Sequence, residues 1–196
     1  MPRQLVARVR ALIAVVSMAC ILLSGSGSAV SARTFWPEDQ QRLRIGLRLF
    51  PAVLGALEGL SQRRSADGSL HVVVAYHGSD EAVQQVVAAL KEIDQVQEMP
   101  LEVKVLALDD LQAYRAPPPL GGVFIASVGI EPARLQRLST THGVLVFSPF
   151  AGDVQAGAVA GIRVSDRILP AVNLAQAQRA GVRFQAFFLR VAHHAE

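Results

Sequence analysis

The chain has 196 residues, 51% of them apolar, with a formal charge of +3 and a single cysteine. Arg3, Arg8 and Arg10 account for the whole charge excess, because residues 33–196 balance sixteen basic against sixteen acidic side chains. A neutral body of that length excludes the basic stripe that tracks nucleic-acid phosphates, and it is long enough to bury one hydrophobic core in a single domain.

Residues 1–32 read as a signal peptide. Three arginines precede an unbroken, largely apolar run over residues 11–23. Thirteen residues are too few to cross a hydrocarbon core that needs about 20, and the small, polar SGSGSAVSA that follows ends in a cleavage site after Ala32. Nothing later in the chain is long and apolar enough to span a membrane. Cleavage removes Cys20 and with it any disulfide; the weaker alternative, lipid attachment at Cys20, lacks the leucine expected three positions earlier. These features predict a periplasmic protein exported by a cleavable leader.

After Pro37, Leu43, Leu47, Phe50, Leu54 and Leu57 recur at alternating spacings of four and three, which predicts an amphipathic helix over residues 38–63. Pro51 inside it predicts a kink near Phe50 or two abutting helices. A turn over residues 61–69 follows. The chain then alternates: strand LHVVVAY (70–76), helix EAVQQVVAALKEI (81–93), strand LEVKVLAL (101–108), short helix DLQAY (110–114), strand GGVFIAS (121–127), helix PARLQRLST (132–140) and strand GVLVFS (143–148). Near-continuous apolar strands separated by helices predict a mostly parallel sheet of about five strands covered on both faces, a Rossmann-like three-layer α/β domain. APPP (116–119) is a stiff connector.

Past Phe150 the alternation stops, and AGIRVSDRILPAVNL reads as one or two short extended segments where the sheet ends, with Pro170 favouring an edge. Asn173 is placed to cap LAQAQRA, and Gly181 to end that helix in a left-handed turn. Phe184, Phe187, Phe188 and Val191 fall at the spacing of a second short helix. Core packing is the commoner meaning of such a stripe; an exposed docking ridge is the alternative.

No residue constellation spells out a reaction. The sequence has no GxxxxGK[ST], no GxGxxG after a strand and no G-x-S-x-G elbow. Ligands of a doubly wound sheet bind at the carboxyl ends of its strands, here YHGSD, ALDDL, ASVGIEP and FSPFAGD. Asp80, Glu81, Asp109, Asp110 and Glu131 stand at the starts of the following helices, where carboxylates cap free amides and would repel a phosphate. His77 and Asp80 could face one another across a turn, but a lone histidine at a strand end is usually a polar terminus and a general base also needs a substrate-binding cleft around it. His71 and His77 lie at opposite ends of one strand, and the adjacent His193 and His194 diverge, so no histidine pair has metal-ligand spacing. No enzymatic activity, cofactor or metal site is expected.

The loop FSPFAGDV (147–154) is the most unusual segment. Ser148, Phe150, Gly152 and Asp153 are its candidate contact residues, with Phe150 read as exposed for a binding role or folded over the sheet for a structural one. Phe187 and Phe188 are the second candidates.

The segment VNLAQAQRAGVRFQAFFLRVA (172–192), supported by GVFIAS and GVLVFS, resembles the YfiR-like family of exported bacterial proteins. The resemblance covers most of residues 33–196 in layout. It implies a periplasmic, non-enzymatic regulator of Rossmann-like fold whose partner is a membrane sensor or diguanylate cyclase. A homodimer is left open. The rival expectation is a periplasmic solute-binding lobe holding a small neutral or cationic ligand against Tyr76, Asp80, Ser127 and Ser148.

Overall fold

The computed structural model describes residues 36–78, 81–114 and 119–195; the predicted leader, Asp80 and most of the APPP connector lie outside the described residues. Contacts gather residues 33–196 into one unit. Its first element is α1 (Pro37–Gly55), which has Pro37 in its first turn with Glu38 and Asp39, where a missing N–H and negative charge both suit the end of the helix. Leu43, Leu47, Phe50 and Leu54 form its buried face, as the spacing predicts. The helix runs unbroken through Pro51 and ends at Gly55, and a 3-10 turn, Leu60–Arg63, carries the chain onward. Of the two predicted outcomes, two abutting helices do not form: burial of Phe50 and Val53 on either side of Pro51 holds one helix together across the lost hydrogen bond.

Among the described residues, eight strands form one sheet in the order β2-β3-β1-β4-β5-β6-β7-β8. Five are mutually parallel: β3 (Met99–Ala107), β1 (Leu70–Tyr76), β4 (Leu120–Ile125), β5 (Leu145–Ser148) and β6 (Ala160–Val164). Their helices are α2 (Glu81–Lys91), α3 (Leu108–Ala113), α4 (Pro132–His142) and the short α5 (Asp153–Ala156). The path from β1 to β3 runs one way along the sheet and that from β3 to β4 the other, so right-handed crossovers put α2 and α3 on opposite faces. α1 packs beside α2 and against β4, β5 and β6, while α4 contacts α3, α5 and α6 (Leu174–Arg179). Those contacts complete the three layers.

Every residue of β4 and β5 is buried, which is why both read as continuous apolar runs. Phe50 of α1 seats on this floor with its ring centroid 5.3 Å from Phe124 and 5.4 Å from Phe147. Burial of a ring that size contributes roughly 1.5–3 kcal/mol. Arg63 ties the opposite edge, donating to the carbonyls of Leu120 at 3.0 Å and Gly143 at 2.5 Å. Burial pushes its pKa below the ordinary guanidinium value.

The sheet does not end after Phe150. β6 continues it in parallel, β7 (Ile168–Val172) turns back antiparallel, and the two-residue β8 (His193–His194) adds to β7 from the chain terminus. Pro170 sits on the part of β7 that β8 leaves uncovered, where a residue without an N–H is tolerated. On the opposite edge, β2 (Gln95–Val96) pairs with β3.

Asn173 caps α6 as predicted, its side chain accepting from the Gln176 amide at 2.8 Å, and Gly181 adopts a left-handed conformation beyond it. The predicted terminal helix shrinks to α7 (Ala186–Leu189). Its apolar stripe divides: Phe184 and Phe188 are buried and stacked at 5.3 Å, whereas Phe187 is 54% and Val191 59% exposed. The chain enters α7 extended, with Phe184 bridged to Leu57, so the residues before it never take up helical spacing.

Candidate functional site

The strand order, with β3 on one side of β1 and β4 on the other, puts the topological switch point at the carboxyl ends of β1 and β4, where a doubly wound fold opens its crevice. Ser127 ties the two strand ends together there. The Ser127 hydroxyl accepts from the His77 amide at 2.8 Å and donates back to the His77 carbonyl at 3.1 Å. Tyr76, beside it, packs half-buried against the core. Among the described residues, a cleft lies farther along the same edge, at β5 and β6.

There the loop after β5 folds inward. Phe150 is only 3% exposed, contrary to its reading as an exposed contact residue, because the sheet edge beyond β5 offers apolar cover. Ser148 and Asp153 are buried with it, and the Ser148 hydroxyl donates to Asp153 Oδ2 at 2.5 Å. Burial raises the Asp153 pKa to about 6, the Ser148 hydrogen bond opposes that shift, and the charge of Asp39 on α1 adds to it. Gly152 stands exposed in a left-handed turn, and Asn173 holds the loop from below by donating to the Val154 carbonyl at 2.8 Å.

α1 crosses close above. A Cβ on Gly46 would come within 2.6 Å of the Pro149 Cβ, so only glycine allows this approach. Between the start of α1, the loop and the ends of β6 and β7 lies a cleft of about 210 Å³. Phe150, Gly152, Val154 and Gln155 line one side, with Ile162, Arg163 and Val164 of β6 and Ala171 of β7 opposite and Arg42 of α1 above.

The structure thus brings Ser148, Phe150, Gly152 and Asp153 together, with Phe150 and Gly152 on the cleft wall. Phe187 and Phe188 belong to the chain terminus; Phe188 is buried beside Phe184, so a contact ridge made of both rings is not formed. Ser127 and Ser148 have committed their hydroxyls to the fold, and neither they nor Tyr76 line the cleft. Sequence reading missed Arg42 and Arg163. Arg42 looks like any charge on the polar side of an amphipathic helix, and only a cation within the short β-segment AGIRV gave a local signal for Arg163.

The predicted caps form differently too. Neither Glu131 nor the acids of the first turn of α3 make a side-chain cap; Asp109 instead pairs with Arg134 of α4.

A second cluster lies at the amino end of β1. The ligand atoms of Asp67, His71 and Glu102 lie within 4.8 Å of one another, a grouping invisible to histidine spacing because the parallel register sets His71 opposite Glu102. Asp67 Oδ1 accepts from the Ser69 amide at 3.0 Å, from Ser69 Oγ at 2.7 Å and from the Ser65 hydroxyl, and these bonds, Ser65 first, hold its pKa well below the carboxylate range. Ser69, His71 and Glu102 are also not a catalytic relay. Both neighbours meet the same ring atom, His71 Nε2, at 3.2 Å and 3.0 Å, whereas a triad needs one on each nitrogen. Ser65, Asp67 and Ser69 form a hydrogen-bonded turn, and His71 and Glu102 reach it from the paired strands β1 and β3.

No family model matches the sequence, and no curated protein matches it. Solved structures do. The ABC domain from Streptococcus pneumonia in complex with L-Trp superposes with a TM-score of 0.53 at 10% identity, over 79% of this chain and 60% of that one. The ligand-free, open structure of a substrate-binding protein with adhesive properties from Clostridium difficile gives 0.51 at 14% identity, over 77% and 58%. The chain shares the α/β fold of these two structures. It spans about three fifths of their length. Among the described residues, no helix is long and apolar enough to cross a membrane.

Proposed function

We propose that this chain is an exported solute-binding lobe that holds a small ligand in the cleft at the carboxyl edge of its sheet and makes or breaks no bond in it. The observation that carries this reading is the cleft itself, open at the edge where doubly wound folds bind ligands. The likeness to a domain in complex with L-Trp and to a substrate-binding protein supports it. So does the signal-peptide pattern of residues 1–32.

The test is a solute library of amino acids, sugars, amines and carboxylates, read by amide NMR shifts in the full chain. Binding solutes are expected to move the amides of Gly152, Gln155 and Arg163. Gln155→Trp, at an exposed position on the rim, fills the cleft and is expected to abolish those shifts without lowering the melting temperature. Shifts that survive the substitution would sink the reading. The rival proposal, regulation of a membrane sensor through the loop of Phe150, Gly152 and Asp153 with Phe187 and Phe188 second, predicts capture of a membrane protein and no solute shifts.

A further inference from the structure

We propose that the ligand of this cleft is a short extended peptide, seated as one further rung of the sheet on the stretch of β6 that β5 leaves unpaired. This rests on the solute-binding reading and adds the class of ligand. β5 stops at Ser148, opposite Gly161, whereas β6 runs on to Val164. On its other side β6 stays paired to that end, with Ile162 opposite Pro170, Arg163 opposite Leu169 and Val164 opposite Ile168 of β7. The lane that β5 vacates is the cleft: Ile162, Arg163 and Val164 form one wall, and Phe150 and Gly152, in the loop that leaves the sheet, form another.

Strand geometry decides which backbone groups face that lane. Each residue of a strand turns its N–H and C=O to one side, and the side alternates along the chain. In the β6–β7 pair the Asn173 amide donates to the Val159 carbonyl at 3.0 Å, and at the other end the Ser165 amide donates to the Arg167 carbonyl at 3.1 Å. Between these two rungs the alternation gives Gly161 and Arg163 to β7 as well. Pro170, with no N–H to give, accordingly stands opposite Ile162 and not opposite either of them. Ile162 and Val164 therefore turn their backbone groups away from β7, to the side of β5.

Ser148 occupies the first place on that side, and β5 cannot supply the next. Pro149 has no N–H, and the Phe150 amide turns back to Ser148 Oγ at 3.3 Å. The Ile162 carbonyl and the Val164 amide are left to a ligand. A residue running in the direction of β5 and lying opposite Arg163 meets both: its N–H donates to the Ile162 carbonyl and its C=O accepts from the Val164 amide, which repeats the register of Ser148 opposite Gly161. Its side chain falls on the face of Gly161 and Arg163, where Val154 Cγ2 stands 2.6 Å from the place of a Cβ on Gly161, so a small apolar side chain suits it. The volume, about 210 Å³, equals that of roughly seven liquid waters, which holds one such residue with its flanking amides and excludes a nucleotide. A lane with one rung to offer fits a free short peptide better than a strand of a protein partner.

N-acetyl-alanine N′-methylamide carries one such residue between two amides, and its analogue methylated on the alanine nitrogen lacks the donor. In the full chain the first is expected to move the Val164 amide proton downfield together with the amides of Gly152 and Gln155. The analogue is expected to bind at least about tenfold more weakly, a difference of about 1.4 kcal/mol. Val164→Pro removes an N–H that β7 does not use, so it is expected to weaken the probe about tenfold at unchanged melting temperature, while Val164→Ala changes binding by less than about threefold. Equal binding of the two compounds to the wild-type chain, or a Val164 amide that stays in place as the probe saturates, overturns the peptide assignment while leaving solute binding in place; neither readout depends on the folding of a variant. Affinity that climbs by about tenfold or more from a tripeptide to a heptapeptide makes the lane a docking groove for a protein segment and overturns the assignment too. If library solutes bind in the cleft and the probe does not, the assignment alone fails. If nothing in either set binds there, both readings fail together.

Discussion

Asp153 is the residue at which fold and site pull against each other. It sits in the first turn of α5, where negative charge suits the free amides, yet it is only 8% exposed and its pKa rises from 3.8 to about 6 because burial disfavours the charged form. A raised folded-state pKa means that the native chain holds this proton more tightly than the unfolded chain does. The corresponding stability is fully present below about pH 4 and is lost as the pH climbs through 6. A rise of that size corresponds to roughly 3 kcal/mol. Asp153→Asn keeps an acceptor for Ser148 without the charge, so urea unfolding at pH 7.5 is expected to show a gain of about 2–3 kcal/mol. At pH 3.5, wild type and variant should coincide. A variant that is less stable at both values would show that the charge is needed at the helix start more than burial penalises it.

At the scale of elements, the cleft exists because α1 and β6 approach the loop after β5 more closely than side chains normally allow. Gly161 in β6 is the tightest case: a Cβ there would collide with the Ser148 carbonyl and come within 2.6 Å of Val154 Cγ2. Gly161→Ala must push β6 from β5 or the loop from the sheet, at a cost of about 1–3 kcal/mol. Gly55, at the end of α1, provides the control. Its nearest neighbour to an added Cβ is Val96 Cγ1 at 3.7 Å, so Gly55→Ala is expected to be neutral or to stabilise by a few tenths of a kcal/mol. Denaturant midpoints of the two variants separate packing from glycine's backbone freedom; equal midpoints would contradict the close approach. Element spacing also explains why the terminal stripe misled. Phe184, Phe187, Phe188 and Val191 have helical intervals, but Gln185 is bonded through its amide to the Ala56 carbonyl, which keeps the chain extended until α7 begins.

Across the whole molecule, stability concentrates in the parallel centre. β1, β4 and β5 are flanked on both sides, while β2 and β8 are two-residue strands at the edges. Native-state hydrogen exchange is therefore expected to find the amides of Val73, Val123 and Val146 opening only with global unfolding and those of Val96 and His194 exchanging well before it. Equal protection at centre and edge would mean that the edges are held by more than their pairing. The cleft lies between these regimes, with one wall on β6 and the other on α1, so ligand binding is expected to be felt as added protection on the β6–β7 side.

The amino-acid sequence alone determined the alternation of strands and helices, the buried face of α1, the cap at Asn173 and the left-handed end at Gly181. Each is local: periodicity, a cap or a positive φ is written within one or two turns of chain. It also pointed to the loop at Ser148, Phe150, Gly152 and Asp153. Only the tertiary structure decided that Phe150 turns inward, that the sheet continues through β6, β7 and β8, and that Arg42 and Arg163 join the lining of one cleft. Those outcomes depend on which distant segments become neighbours, and the charge of a binding site, unlike the pitch of a helix, is a sum over neighbours in space.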